Sequence, residues 1–195
     1  DRAALIKVLG DEVKQAGSQV EDNRMRFDFT FSRAMTPQEV KKTEDIMNKW
    51  IGEKLPVNTD VMGIEEAKLT GATALFGEKY EDVVRVVSIG GKAKCNCGSD
   101  CSCDHESGEE KEVISKEFCA GTHASNTADL RLVKIVSEGA IAAGTRRIEA
   151  VVADAAIDYL NAKSAEIDKL ASRFKVHFDE VESRIETVSY THLTL

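Results

Sequence analysis

The hydrophobic and polar positions at the start of the chain switch from helical to strand spacing. Between Asp1 and Ala16, apolar residues recur every three or four positions, which predicts a helix ended by Gly17. From residue 26 to residue 31 the pattern alternates strictly, which predicts a half-buried strand. The apolar face of this strand is Met25, Phe27, Phe29 and Phe31.

The next segments mix the two periodicities. Thr36 and Glu39 form a capping box with Pro37 at the first helical position, which predicts a helix that runs to about Lys54. Residues 57–62 and the β-branched run at 83–89 are predicted strands, and residues 64–69 a short helix.

Two further strands are predicted at residues 130–137 and 146–152, joined by a Gly/Ala-rich segment at 139–144. Helices and strands follow one another without a regular βαβ period. The predicted fold class is therefore α+β, a two-layer sandwich rather than a doubly wound sheet.

The pattern changes again after Ala153. Residues 154–174 carry apolar positions at helical spacing and no strand follows, while Val181 and Ile185 indicate another short helix. We therefore expect residues 1–152 to form one domain and 153–187 the helical start of a second. Residues 188–195 look foreign to the chain and are expected to be a non-native tail.

The composition of the chain limits which kinds of function and location are expected. The formal net charge is -8, which argues against a non-specific nucleic-acid coat but leaves room for a local basic groove. No apolar run is long enough for a membrane span, so no membrane partner is expected. All five cysteines lie between Cys95 and Cys119, whereas a disulfide framework would spread them through the fold. We therefore expect a reducing, cytoplasmic location.

Cys119 and His123 are the first candidate chemical site. A thiolate and an imidazole four residues apart are both good zinc ligands, and they can converge on one ion in a helix or in a tight loop. Zinc needs three or four ligands, so the motif is either half of a metal site or a buried cysteine beside a hydrogen-bonded histidine.

A second candidate is the cysteine-rich segment at 94–110. Cys95, Cys97, Cys101 and Cys103 could form a possible second soft-metal site, but their spacing differs from that of zinc ribbons. The alternative is an insertion between two strands that binds metal without requiring it, and we expect it to form a loop beside the pocket.

Two shorter motifs give weaker evidence of a binding or catalytic role. Arg146 and Arg147 begin a strand and point to opposite faces, so either could meet a phosphate or carboxylate, or only a surface acid such as Glu149. The segment from Gln15 to Ser18, alone, indicates a glycine helix stop followed by a turn.

Taken in order, these motifs resemble the editing domain of the alanyl-tRNA synthetases over about residues 5–150. The segments that carry the resemblance are Val8-Leu-Gly10, Gln15-Ala-Gly-Ser18, Arg26-Phe-Asp-Phe29, Ala74-Leu-Phe-Gly-Glu-Lys-Tyr80, Val84-Arg-Val-Val87, Cys119-Ala-Gly-Thr-His123, Lys134-Ile-Val-Ser-Glu-Gly139 and Gly144-Thr-Arg-Arg-Ile-Glu-Ala150. The resemblance implies an internal fragment: the second additional domain of threonyl- and alanyl-tRNA synthetases, followed by the start of the C-terminal domain.

The resemblance also implies a function and a cofactor. In this family, post-transfer editing hydrolyses Ser-tRNA(Ala) and Gly-tRNA(Ala), while ATP and Mg²⁺ serve an aminoacylation domain that is not in this chain. One zinc ion would be held by Cys119 and His123 and by a His-x-x-x-His helix expected upstream.

The partner implied by the resemblance is the acceptor end of tRNA(Ala). Its candidate binding residues are Gln15, Gly17, Ser18, Thr122, Arg146 and Arg147. No catalytic residue or oligomeric state can be assigned. Two alternatives stay open, a free-standing trans-editing deacylase and a non-enzymatic metal-binding module.

Overall fold

A computed structural model describes residues 2–74, 80–92 and 110–193 of the chain, which form an α+β fold. The helices are α1 (Arg2–Leu9), α2 (Pro37–Gly52), α3 (Ile64–Leu69), α4 (Ala153–Phe174) and α5 (Val181–Leu193), with short 3₁₀ turns at Thr127–Leu130 and Phe178–Glu180. The strands are β1 (Gln15–Val20), β2 (Arg24–Thr30), β3 (Val57–Gly63), β4 (Val83–Gly91), β5 (Lys111–Phe118), β6 (Val133–Ala142) and β7 (Thr145–Val152).

The strands form two antiparallel sheets. The larger sheet has the order β1-β2-β7-β6 and the smaller one the order β3-β4-β5. In the larger sheet, Phe27 pairs with Ile148, so the apolar face of β2 continues across β7. The smaller sheet pairs Val86 with Phe118 across its two longest strands.

Most of the apolar core lies on one face of the larger sheet. Phe29 and Ile148 have no exposed surface, and Leu5 of α1 packs with them. A second cluster joins α2 to β6 and β7. The smaller sheet has a smaller core of Ala67, Val84, Val86 and Phe118.

The predicted helix α2 and strand β2 are confirmed. The Thr36 hydroxyl accepts a hydrogen bond from the backbone N–H of Glu39, and the Glu39 carboxylate accepts one from Thr36 N–H, which completes the capping box. In the strand, Phe27, Phe29 and Phe31 are buried, as the alternation predicts.

The prediction for the first helix was wrong at its C-terminal end. The helix ends at Leu9, because Gly10 adopts a φ of 102°, a conformation that favours glycine. Val13 lies in the loop after the helix and is buried there, so its apolar spacing reflects burial of a loop residue rather than a helix. Residues 15–20 are strand β1, and Gly17 is a strand residue rather than a helix stop.

Strands β4 and β5 are joined through the cysteine-rich segment. Gly91 pairs with Lys111, so the two attachment points of the segment lie side by side. They sit at the end of the sheet opposite Cys119, which lies about 26 Å away along β5 at about 3.3 Å per residue. Cys95, Cys97, Cys101 and Cys103 themselves, and our expected loop beside the pocket, lie outside the described residues.

The chain divides into two compact units, residues 1–153 and 154–195. The second unit contains almost all of α4 and all of α5. Ile157, Leu160, Ile167 and Leu170 on α4 are all more than a third exposed. Residues 188–193 belong to α5, so the backbone up to Leu193 is helical. Within the part of the chain described here, no helix combines the length and apolar composition that a membrane crossing requires.

Candidate metal and tRNA site

The loop between β5 and the 3₁₀ turn carries the Cys119-Ala-Gly-Thr-His123 motif. At its start, Cys119 N–H donates to the carbonyl of Arg85 on β4 at 3.1 Å. At its end, the Ser125 carbonyl accepts a hydrogen bond from Val57 N–H at 2.9 Å. The loop is therefore attached at both ends to strands of the smaller sheet.

A buried hydroxyl fixes the exit of this loop. The side chain of Thr127 donates to the Trp50 carbonyl and accepts from Leu55 N–H, each at 2.8 Å. These bonds tie the end of α2 to the residues just after His123. The exit of the loop is therefore held by one buried side chain, Thr127, which bonds to backbone groups on both sides.

The structure brings the two predicted ligands together. His123 Nε2 lies 3.1 Å from Cys119 Sγ, and Cys119 is a free cysteine that is partly exposed. Gly121 is close to the thiol, since a Cβ built there would lie 3.6 Å from Sγ. Thr122 is exposed beside the pair.

The geometry of the pair fits two ligands of one zinc ion. Zinc bonds of about 2.3 Å to sulfur and about 2.0 Å to nitrogen, at a tetrahedral angle, separate the ligand atoms by roughly 3.5 Å. The Sγ–Nε2 distance of 3.1 Å would need to open by only a few tenths of an ångström. No third or fourth ligand accompanies the pair, because the described residues contain no group of three or more His, Cys, Asp or Glu side chains that could hold a metal.

The protonation of His123 also suits metal binding. Partial desolvation of the ring, with the positive charge of Arg85 adding to it, lowers the pKa of His123, while Glu117 opposes the shift. A lowered pKa favours the neutral imidazole, which is the form that binds metals.

Arg85 is the residue of this site that the sequence analysis missed. Its guanidinium Nη1 donates to the carbonyls of Ala120, at 3.1 Å, and of Gly121, while Nη2 lies 3.5 Å from Thr59 Oγ1. In the sequence it is one charged residue in a β-branched strand, a pattern typical of a solvated position. Its place within the Val84-Arg-Val-Val87 motif was the available signal.

Helix α1 lies beside β5, the neighbouring strand. Arg2 Nη1 is 3.3 Å from Glu117 Oε1, and the Ser115 hydroxyl donates to the same oxygen at 3.0 Å. Glu117 precedes Cys119 by two residues. The first turn of α1 is thus close in space to the strand that leads into the candidate site.

The predicted tRNA-binding residues of β1 lie on the larger sheet. Gln15 Nε2 donates to Ser18 Oγ at 3.0 Å, and Gly17 pairs with Asp28 in the register of β1 and β2. A Cβ built on Gly17 would lie 3.5 Å from Asp28 Oδ2, so the glycine leaves room for that carboxylate.

Both candidate arginines of β7 make two-point ion pairs. Arg146 donates to Glu138 at 2.6 and 2.7 Å, and Arg147 donates to Asp28 at 2.6 and 2.8 Å. The partner acids are thus Glu138 and Asp28 rather than Glu149. Arg147 and Gly17 are brought together through Asp28, and among the described residues the hydrogen bonds and ion pairs of Arg146 and Arg147 go to these acids, not to Cys119 or His123.

Asp28 is a second residue that the sequence analysis missed. It is buried, and hydrogen bonding to Arg147 lowers the pKa of its carboxyl group. The alternation that placed Phe27 and Phe29 in the core puts Asp28 on the opposite face of β2. The signal in the sequence was an acidic residue between two phenylalanines of the core, together with two adjacent arginines near the start of another predicted strand.

The sequence that carries this site is similar to known proteins. Residues 84–149 match the family described as threonyl and alanyl tRNA synthetase second additional domain, and this stretch includes β4 except Val83, all of β5 and the loop from Cys119 to Ser125. The chain is 42% identical over 184 residues to the alanine–tRNA ligase of Synechococcus sp. (strain JA-3-3Ab), which covers 94% of this chain and 18% of that protein.

Two plant proteins give the same result. The chloroplastic/mitochondrial alanine–tRNA ligases of Populus trichocarpa and Arabidopsis thaliana are 41% and 40% identical over 96% of this chain. The chain spans less than a fifth of the length of these relatives. Over the segment that it spans, this chain is similar to alanine–tRNA ligases, and its residues 84–149 match the second additional domain, which confirms the resemblance seen in the sequence.

Proposed function

We propose that this chain is the editing segment of an alanine–tRNA ligase and that it hydrolyses the ester bond of Ser-tRNA(Ala) and Gly-tRNA(Ala). The observation that carries the proposal is the Cys119–His123 pair, 3.1 Å apart, inside the matched second additional domain. The whole protein would attach alanine to tRNA(Ala) with ATP and Mg²⁺ bound in another domain. Its proposed location is the cytoplasm.

The chemistry of alanine explains why a second site is needed. Serine differs from alanine by one hydroxyl group, and glycine lacks one methyl group. A single binding site rejects such small differences by only about 10²-fold, so separate hydrolysis of the wrong product is required.

In the proposed reaction, the chain's own residues hold the metal and the substrate is hydrolysed by water. Cys119 and His123 would hold zinc, together with ligands from outside the described residues, and the ion would supply Lewis acidity for ester hydrolysis. In the overall reaction, water oxygen bonds to the ester carbonyl carbon, and the tRNA 3′-terminal oxygen leaves with a proton. The products are a free amino acid and a free tRNA end.

The substrate-binding roles follow from position. Thr122 is exposed next to the thiol–imidazole pair, where its hydroxyl could contact the misplaced amino acid. Gln15, Gly17 and Ser18 lie on β1, and Arg146 and Arg147 on β7, so we assign them to the tRNA end rather than to the reacting ester. Both guanidiniums retain N–H donors beyond those used on Glu138 and Asp28.

The remaining zinc ligands are proposed to come from sequence that precedes Arg2 in the full-length protein. The relatives are more than five times longer than the segment that this chain covers, and α1 begins beside Glu117. We therefore expect the 195-residue chain to bind zinc weakly, with water or a thiol of the cysteine-rich segment completing the coordination.

The test compares this chain with a version extended by the residues that precede Asp1 in its gene. We expect the extension to tighten zinc binding and to give release of serine from Ser-tRNA(Ala), and Cys119→Ser to abolish both gains. Equal zinc affinity with and without the extension would contradict the proposed ligand set.

The non-enzymatic alternative gives a different result. A metal-binding module built on Cys95, Cys97, Cys101 and Cys103 would bind zinc tightly without esterase activity. Replacing these four cysteines by serine would then remove the bound metal, whereas the editing proposal keeps one zinc per extended chain. The trans-editing alternative is less supported, because the matched relatives are named as ligases.

A further inference from the structure

The site loop is anchored at both ends, but its middle depends on one side chain. Backbone hydrogen bonds hold Cys119 to β4 and Ser125 to β3. Between these anchors, the hydrogen bonds recorded for the described part of the loop backbone are those from Arg85 to the Ala120 and Gly121 carbonyls. In sequence, Ala120 and Gly121 lie between Cys119 and His123.

The guanidinium group suits this task because of its shape. One Arg85 nitrogen reaches both carbonyls and the other points to Thr59 Oγ1, so a planar fork connects the loop to two strands at once. An ammonium group is a point charge on a flexible stem and cannot reproduce this fixed fork. The backbone of Arg85 also anchors the start of the loop, because the Arg85 carbonyl accepts a hydrogen bond from the Cys119 N–H.

The turn that Arg85 holds determines where His123 lies. If the two carbonyls were free to rotate, the peptide planes of residues 120–122 would reorient, and the imidazole would no longer be directed at Cys119. Gly121 makes this freedom larger, because glycine has more accessible backbone conformations than any other residue.

We propose that Arg85 is a positioning residue of the Cys119–His123 site, whose guanidinium fixes the loop so that His123 Nε2 faces Cys119 Sγ. This inference rests on the proposed function for its biological meaning, but the ordering of the loop can be measured without metal or tRNA. It predicts a geometric role for the fork, not a role for positive charge alone.

The experiment uses the 195-residue chain with Cys95, Cys97, Cys101 and Cys103 replaced by serine, which leaves Cys119 as the one thiol among the five cysteines. Arg85→Ala and Arg85→Lys are compared with Arg24→Ala, a control that removes a single ion pair with Glu149 on the larger sheet. Backbone ¹⁵N order parameters are measured without metal, and Co²⁺ is then titrated while the thiolate-to-cobalt absorption band is followed.

In the parent protein and in Arg24→Ala, we expect order parameters at Gly121 and His123 near about 0.85, the value of a rigid backbone. In Arg85→Ala and Arg85→Lys they should fall below about 0.6, while residues of β4 and β5 stay rigid. Co²⁺ affinity should fall about tenfold in both Arg85 variants, as expected for the loss of a charged hydrogen bond.

Three results would overturn the inference. The first is unchanged order at residues 120–123 in Arg85→Ala, and the second is full recovery by Arg85→Lys, which would assign the effect to charge. The third is loss of order throughout both sheets, which would make Arg85 a general stability residue. If the parent gives no cobalt–thiolate band while Arg85→Ala still loosens the loop, the metal part of the proposed function fails and the inference on Arg85 stands.

Discussion

The two sheets of the first unit differ in how much apolar surface they bury and in what they carry. The larger sheet packs against α1 and α2 through Phe29, Ile148 and Leu5, all with no exposed surface. The smaller sheet and α3 share a cluster of four buried residues, Ile89 and Ile114 pack against the α2 cluster, and the site loop lies at one end of the sheet. The chemistry thus lies on the sheet with the smaller core of its own, where we expect local motion to cost less free energy.

The two sheets also use charged side chains differently. On the larger sheet, Asp28 and Arg147 form a two-point ion pair between neighbouring strands. On the smaller sheet, Arg85 binds neutral backbone carbonyls of a loop. The first arrangement joins two elements that are already rigid, while the second orders a segment that has no regular structure of its own.

The largest expected effect comes from truncating matched phenylalanines in the two cores. Phe29→Ala should lower the free energy of unfolding by about 4 kcal/mol, because a fully buried ring leaves a cavity in the larger core. Phe118→Ala, in the smaller core, should cost about 3 kcal/mol.

Denaturant unfolding with hydrogen exchange tests this contrast. In Phe118→Ala, amides of β4 and β5 should exchange faster while those of β2 and β7 stay protected. Simultaneous exchange of both sheets in that variant would mean that they unfold as one unit and that the contrast does not exist.

A second prediction concerns Gly90 on the smaller sheet. Gly90→Ala should destabilise the protein by about 3 kcal/mol, because φ is 100° there and an added Cβ would collide with the Glu112 carbonyl oxygen. Gly139→Ala on the larger sheet is the matched control, since a Cβ there would meet nothing within 4 Å. Thermal melts of the two variants should differ widely, and equal melting temperatures would show that β4 and β5 can separate at Gly90 without cost.

The third prediction tests the ion pair of the larger sheet. Asp28→Asn should cost about 2 kcal/mol, because it leaves the Arg147 guanidinium without its charged partner. The folded-state pKa of Asp28 is lowered, so the pair stabilises the fold above the pKa of the unfolded carboxyl group, about 4. This stabilisation is lost as the pH falls through the folded-state pKa.

Urea unfolding from pH 2 to pH 7 measures this effect. The difference in unfolding free energy between the parent and Asp28→Asn should shrink at the acidic end of the range. A difference that stays constant with pH would show that the carboxylate charge is not what stabilises this part of the sheet.

The smallest expected effect is at the site itself. Cys119→Ser and His123→Ala should each change the free energy of unfolding by no more than about 0.5 kcal/mol, because neither side chain belongs to a core cluster and His123 is exposed. Both should nevertheless abolish the cobalt–thiolate or zinc signal. A loss of stability comparable with that of Phe118→Ala would mean that the pair is a structural element.

Regular periodicity and local motifs predicted most of the first unit. Strict alternation defined β2, and the Thr36 capping box defined the start of α2, because both signals lie within a few residues. The end of α1 was mispredicted, since Val13 kept helical spacing although Gly10 had already ended the helix.

The candidate site was predictable only in its local part. Cys119 and His123 lie four residues apart, so their pairing could be proposed from the sequence. Arg85 lies 34 residues before Cys119 and Asp28 lies 119 residues before Arg147, and such contacts depend on strand order and register. Neither can be read from spacing along the chain.

The pairing of Gly91 with Lys111 has a consequence for how the connection between β4 and β5 can change in length during evolution. The Gly91–Lys111 pair and the loop of Cys119 lie at opposite ends of the same two strands. We expect that the chain between Gly91 and Lys111 can change in length while this pairing keeps the register of β4 and β5. A fluorescent or affinity peptide inserted there would leave and re-enter the sheet about 26 Å along β5 from Cys119.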